Sequence, residues 1–355
     1  MPIVVYGATG FTGRLVAETL ASRGHEVIVA GRDPARTREL AESIGAPWRS
    51  AWIDDPPKLA AAFADAALVL SCAGPFSELG EPVLEAALTA GAHFADISGE
   101  QAYARRIYER YESRARRERR AIVSGLAFEP AVADWAAALA AAALGPGRLD
   151  EVLVGYAHSR VPLTPGVLES LRATLAAPAS TWSRDRWEPS VLGSAQELVA
   201  FPAPFGERLT VAGPFAAAIT IPRHIDTQAV RTLVSVGQAT PGRKLALKLA
   251  AAAAPAVARS PLTAEIGALA PARPTADDLA GARVAVVAEA RRGFERARYA
   301  LVGPNFYQLT AEIACLVAPA IIDREGALAP AELLEPSQAL ESLGERVEIH
   351  TERGV

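Results

Sequence analysis

Cysteine, methionine and lysine are scarce in this 355-residue chain, and each scarcity removes an explanation. The two cysteines, Cys72 and Cys315, lie far apart and without metal-ligand spacing. They exclude a disulfide framework, fit a reducing compartment, and leave no metal centre to expect. Three lysines (Lys58, Lys244 and Lys248) stand in an arginine-rich remainder, and none has a tyrosine four residues before it. The Tyr-x-x-x-Lys pair that gives short-chain dehydrogenases their proton donor is therefore missing. Charge is modest too: a net −4 argues against a nucleic-acid or anionic-membrane partner. Long hydrophobic runs are lacking. The most apolar tract, "LALKLAAAAAPAVA" (245–258), contains Lys248 and Pro255 and is too short for a bilayer, so no membrane span is expected. Strand character begins at residue 2 with "PIVVY", which leaves no room for a leader, and a cytoplasmic soluble protein is the expectation.

What is present is an ordinary globular composition, 50% apolar and 21% charged, in a chain long enough for two domains. Strand-like runs at Ile3–Tyr6, Glu26–Ala30, Leu68–Ser71, His93–Ile97 and Ala121–Ser124, with a weaker one at Trp48–Ile53, alternate with helical segments. Those helices are read at Thr12–Arg23, Pro34–Ile44, Lys58–Ala64, Gly80–Ala90 and Gln101–Arg119. A βαβα series implies an α/β fold with a doubly wound parallel sheet, the Rossmann arrangement.

The first strand empties into "GATGFTG", which places Gly7, Gly10 and Gly13 in a GxxGxxG turn with Thr9, Phe11 and Thr12 between them. Glycines allow the sharp turn and a close backbone approach to a pyrophosphate, while the following helix offers unpaired N–H groups to it. The second strand ends "VIVAGRD". NAD-selective sites usually carry a carboxylate at this tip. Here Arg32 stands instead, suited to a charge-assisted bond with a 2′-phosphate, so NADP is expected rather than NAD. Asp33 either serves a ribose or caps the next helix. The fourth strand leaves as "LVLSCAGPF", placing Cys72, Ala73 and Gly74 beside the cofactor's middle, with Pro75 ending the strand. Cys72 has no histidine near it in sequence and reads as a small residue, not a nucleophile.

"GATGFTGR", "SCAGPFSELGEPVLEAALTAG" and "DISGE" together resemble the saccharopine dehydrogenase-like NAD(P)-dependent reductases, a family that includes trans-acting enoyl reductases. "IPRHI" (221–225), "ARPTADD" (272–278), "VGPNFYQLTA" (302–311) and the ending "LAPAELLEPSQALESLGERVEI" resemble its later landmarks. The resemblance implies a Rossmann domain over residues 1–128 and a second α/β domain with a mixed sheet over 129–304, for substrate and dimerisation. Residues 305–355 would then return to pack on the first domain. It also implies an NADPH-dependent oxidoreductase that reduces a C=N or C=C bond of a small-molecule or carrier-linked substrate. One departure stands out: relatives often carry a "GFDSxP" pattern where this chain reads "SGLAFEP", so Ala127 and Phe128 replace a polar pair and leave Glu129 as the ionisable group there.

Hydride chemistry belongs to the nicotinamide, and the protein must position the acceptor and supply a proton. Topology places Asp96, Ser98, Glu100 and Glu129 after strands five and six. Glu100 serves as an acid or caps the next helix; Asp96 serves as an acid or holds neighbouring backbone. In "DEVLVGYAHSR" the strand period puts Val152, Val154, Tyr156 and His158 on one face, so Tyr156 and His158 either meet substrate or are satisfied structural residues. Thr164 begins a helix at an anion-binding turn. Arg223 and His224 end a further strand, Arg223 reaching a substrate anion or solvent. Tyr307 is an aromatic staple at a helix start. A hairpin over Ala282–Gly303 belongs to the second sheet, which as a homodimer would pair with its copy. The competing class is a non-catalytic NADP-binding redox sensor or partner-binding protein.

Overall fold

In the computed structural model of the chain, which describes residues 1–193, 195–238, 243–260 and 271–354, the opening apolar run is the buried strand β1 (Ile3–Tyr6). Then follow α1 (Phe11–Ser22), β2 (Val27–Gly31), α2 (Pro34–Ile44), β3 (Trp48–Ser50), α3 (Pro56–Ala62), β4 (Leu68–Ser71), α4 (Phe76–Thr89), β5 (His93–Asp96), α5 (Gln101–Glu118) and β6 (Ala121–Ser124). The chain continues through α6 (Phe128–Ala143), β7 (Glu151–His158), α7 (Pro165–Ala176), β8 (Ala179–Ser183), β9 (Arg186–Ser190), β10 (Gln196–Phe201), β11 (Gly206–Ala212), α8 (Ala217–Thr220) and β12 (Ala229–Ser235). It closes with α9 (Arg243–Ala258), α10 (Ala276–Gly281), β13 (Val284–Arg292), β14 (Glu295–Gly303), α11 (Phe306–Ile321), β15 (Gly326–Leu328), α12 (Pro330–Leu333), α13 (Pro336–Ser342) and β16 (Glu348–Gly354).

Two compact units share this chain. The first comprises Met1–Ser98, Tyr103–Ala127 and Tyr307–Leu334. Its seven strands lie in the order β15-β6-β5-β4-β1-β2-β3. Every pairing in that sheet is parallel. Strands buried on both faces carry the unbroken apolar runs that parallel sheets need, such as Val4, Val5, Leu68, Val69, Leu70 and Phe94. The order reverses between β1 and β4, which sets the ligand-binding crevice above their carboxyl ends. Local chemistry starts and stops the helices: Asp33 caps α2, Pro34 fits its first turn, and Gly45 ends it at φ +66°.

The second unit comprises Gly99–Ala102, Phe128–Phe306 and Glu335–Val355. Its sheet is mixed, ordered β10-β11-β12-β7-β13-β14-β16, with β8 and β9 attached at β12. The β12–β7 pairing is parallel and β13–β7 antiparallel. Helix α6 packs on β13 and β14. On the sheet's other side Leu153, Ala157, Phe201, Phe205, Val287 and Val302 form a buried cluster.

Several expectations change. Residues 335–355 do not form one returning segment with 305–334: they lie in the second unit, where β16 pairs antiparallel with β14. The strand expected to end at Arg223 and His224 is instead α8 followed by a 3-10 turn over Ile221–Arg223, because Ala-rich "AAIT" carries no strand alternation and Pro222 opens a turn. Strand β15 and strands β8 to β11 had no clear signal in the sequence. The first is three residues long, and β8 and β9 are only half-buried, so neither shows a sustained period.

Candidate functional site

In the first unit, the glycine turn is fastened to the tip of β2 by Gly7 N–H and Ala8 N–H, which donate to the Ala30 carbonyl at 3.0 and 3.3 Å. Gly7 has φ +78°, and a Cβ there would stand 2.7 Å from the Ala73 nitrogen. At Gly13 a Cβ would stand 2.4 Å from the Gly7 carbonyl oxygen. Both positions exclude any side chain, whereas Gly10 is exposed. Helix α1 starts at Gly10 with no side-chain cap and no acidic residue in its first turn. Its first N–H groups and its positive dipole end thus face an open glycine surface, the arrangement that fits a dinucleotide pyrophosphate. Phe11 is held by Tyr307, the rings meeting edge to face at 4.8 Å. Tyr307 is buried. It anchors the turn that Phe11 belongs to, a link that no local signal in the sequence could show.

At the tip of β2, Asp33 accepts from Ala35 N–H (3.0 Å) and Arg36 N–H (3.1 Å). It caps α2 through Oδ1. Arg32 is exposed and makes no ion pair among the described residues. Arg36 donates to the Thr9 carbonyl at 3.0 Å, so a second guanidinium rests on the glycine turn. This residue was missed; the signal available was an arginine one turn into a helix capped at the same strand tip. Two guanidinium groups make this tip suited to a phosphate.

The segment Cys72–Pro75 is half-buried beside Gly7. Burial pushes the Cys72 thiol well above its ordinary value, with the Asp96 carboxylate adding to it, so a nucleophilic thiolate is disfavoured. Asp96 is fully buried and its carboxylate accepts four hydrogen bonds: from Ser98 N–H (2.9 Å), Tyr103 Oη (2.9 Å), Ser124 Oγ (3.0 Å) and Gly125 N–H (3.1 Å). It holds neighbouring backbone.

In the second unit, His158 Nε2 lies 3.1 Å from Glu129 Oε1, bringing together two residues 29 apart in the chain. Tyr156, on the same face of β7, is fully buried against Phe215 with ring centroids 4.4 Å apart. Its hydroxyl has no hydrogen-bond partner among the described residues. Burial raises its ionisation well above the ordinary value, and Glu129 and Asp134 add to the rise. Glu100 is buried and accepts from Ser170 Oγ at 2.9 Å. Thr164 caps α7 through Val167 N–H, which leaves its oxygen engaged and not lining an anion turn. His224 is half-buried, and its Nε2 lies 2.9 Å from the buried Asp134 carboxylate. Asp134 was also missed, although a lone acid in the run "AVADWAAALAAAA" is a readable sign of a buried partner. Among the described residues no group of three or more His, Cys, Asp or Glu could hold a metal ion. No described helix is long and apolar enough to cross a membrane.

Residues 3–126 match the family model of the saccharopine dehydrogenase NADP binding domain. A trans-acting enoyl reductase of Mycobacterium ulcerans is 32% identical over 140 residues, which cover 37% of this chain and 33% of that protein. One of Mycobacterium tuberculosis is 38% identical over 120 residues, covering 32% of this chain and 29% of that protein. The match thus spans about a third of the length of these relatives. Over its whole length the chain shares its fold with an apo saccharopine dehydrogenase (L-Glu forming) of Saccharomyces cerevisiae, at 14% identity, TM-score 0.65 and 100% coverage of both chains.

Proposed function

On the premise that residues 3–126 form a saccharopine dehydrogenase NADP binding domain, we propose that the whole chain is an NADPH-dependent oxidoreductase. Its reaction is hydride transfer to a C=N or C=C bond of a small or carrier-linked substrate. One observation carries the reading: an uncapped, acid-free start to α1 beside a strand tip that bears Arg32 and Arg36. The similarity to mycobacterial trans-acting enoyl reductases favours a C=C acceptor.

In this reading Gly7, Gly10 and Gly13, with Thr9, Phe11 and Thr12, cradle the pyrophosphate through backbone N–H groups. Arg32 and Arg36 hold the 2′-phosphate, and Cys72, Ala73, Gly74 and Pro75 line the cofactor's middle. When bound, the nicotinamide supplies the hydride. Glu129 and His158 hold and release the proton that reduction requires, since a carboxylate and an imidazole within hydrogen-bond reach can share and pass on a proton. Tyr156 fixes the wall beside them, and Glu100 acts by holding Ser170 of α7 rather than by reacting.

A fluorescence titration of the purified protein with NADPH and with NADH tests this. Preferential binding of NADPH, followed by its consumption with imine or enoyl-thioester acceptors, is the expected result. Binding without consumption by either acceptor class would move the protein to a non-catalytic NADP-binding role. Binding of neither cofactor would remove the reading altogether.

A further inference from the structure

We propose that Asp96 is a positioning residue for the nicotinamide half of NADP, an inference that rests on the NADP reading above. A doubly wound sheet binds its dinucleotide as two halves, one on each side of the reversal in strand order. Arg32 and Arg36 mark the β2 side of β1 for the adenosine 2′-phosphate, which leaves the crest over β4, β5 and β6 for the other half.

Three segments form that crest: Cys72–Pro75, the exit of β5, and the exit of β6. Asp96 ties all three. Its Oδ1 accepts from Ser98 N–H at 2.9 Å, in the exit of β5. The same oxygen accepts from Ser124 Oγ at 3.0 Å and Gly125 N–H at 3.1 Å, in the exit of β6. Its main-chain carbonyl accepts from Leu126 N–H at 2.7 Å. Oδ2 accepts from Tyr103 Oη at 2.9 Å. The Tyr103 ring in turn fills the space above Gly80, where a Cβ would stand 2.4 Å from it. That contact fixes α4, the helix into which Cys72–Pro75 leads.

Four donors converge on one carboxylate, which when ionised accepts from all of them. A buried ion is costly unless so paired, and this one is fully buried, so it touches no substrate. Its action is to hold the crest in one geometry. An asparagine of the same shape would aim an NH2 at one or more of the four donors and leave them unpaired.

The test compares wild type, Asp96→Asn and Ser124→Ala by binding of NADPH and of adenosine 2′,5′-bisphosphate, which contains only the adenosine end. Asp96→Asn is expected to raise the NADPH dissociation constant about ten- to thirtyfold and to change the bisphosphate constant less than twofold. Ser124→Ala removes one donor and should weaken NADPH about threefold, again with the bisphosphate unchanged, which keeps the test open should Asp96→Asn fail to fold. Equal losses for both ligands, or no loss for NADPH, would overturn the positioning role while leaving NADP binding intact. A wild-type protein that binds neither ligand would overturn the NADP reading and this inference with it.

Discussion

Arg32 and Asp96 show how differently two charged residues of the same unit behave. Arg32 is exposed at a strand tip, so its effect should appear only when a 2′-phosphate is present. Arg32→Ala is expected to weaken NADPH binding by roughly 1.5–3 kcal/mol and leave NADH nearly unchanged in parallel titrations. Asp96 is buried, and desolvation raises its carboxyl to about 6 from an ordinary 3.8, against the pull of its four donors. A raised carboxyl means that the folded state binds the proton more tightly than the unfolded chain does. The stabilisation linked to it is fully present below about pH 4 and is lost as pH rises through about 6, with an upper size on the order of 3 kcal/mol. Urea unfolding of wild type and Asp96→Asn between pH 4 and pH 7 should therefore show the wild type gaining on the variant as pH falls. The opposite slope would mean that the four donors outweigh desolvation. At His158, replacement by glutamine is expected to slow turnover about a hundredfold while NADPH affinity stays constant, measured by single-turnover kinetics and titration.

Among the elements, α1 carries a conflict between stability and function. A helix start without a cap or an acid forgoes stabilisation that natural sequences often take. Thr12→Asp would place a carboxylate in the first turn of α1, where the dipole favours it. Thermal unfolding should show a gain of about 0.3–1 kcal/mol, while NADPH affinity falls more than about tenfold because the acid occupies the phosphate's field. A variant that loses stability and affinity together would instead point to damage of the turn. Helix α6 makes a related point in the second unit. It presents Glu129 to His158 and Asp134 to His224 on an otherwise alanine-rich apolar surface, so both histidines owe their partners to one helix.

At the scale of the molecule, the two units are interlaced in sequence. The first needs Tyr307–Leu334, which brings Tyr307 onto Phe11, β15 onto β6, and the Leu328 carbonyl onto Tyr108 Oη at 3.3 Å. A fragment of residues 1–128 would expose the edge of β6 and the Phe11 ring. Circular dichroism of that fragment is expected to show a broad, weakly cooperative melt. A sharp transition at the full-length temperature would mean that the returning segment adds little.

The sequence by itself determined the parallel sheet, the glycine turn and the cationic strand tip, because each depends on residues adjacent in the chain. Period, turn chemistry and helix dipoles act within a few residues, so β1, β2, β4, β5 and β6 could be read from their apolar runs, while β3, the mostly exposed Trp48–Ser50, gave a weaker signal. It also placed Glu129, Tyr156 and His158 among the residues of interest, yet not as partners. Only the tertiary structure decided that His158 meets Glu129, that His224 meets Asp134 and lies off any strand, and that Asp33 and Thr164 cap helices. It alone divided the last 50 residues between two units, joining Tyr307 to Phe11 and β16 to β14. Those pairings join residues far apart in the chain, and their energy comes from burial and from satisfied polar groups, neither of which has a local period to read.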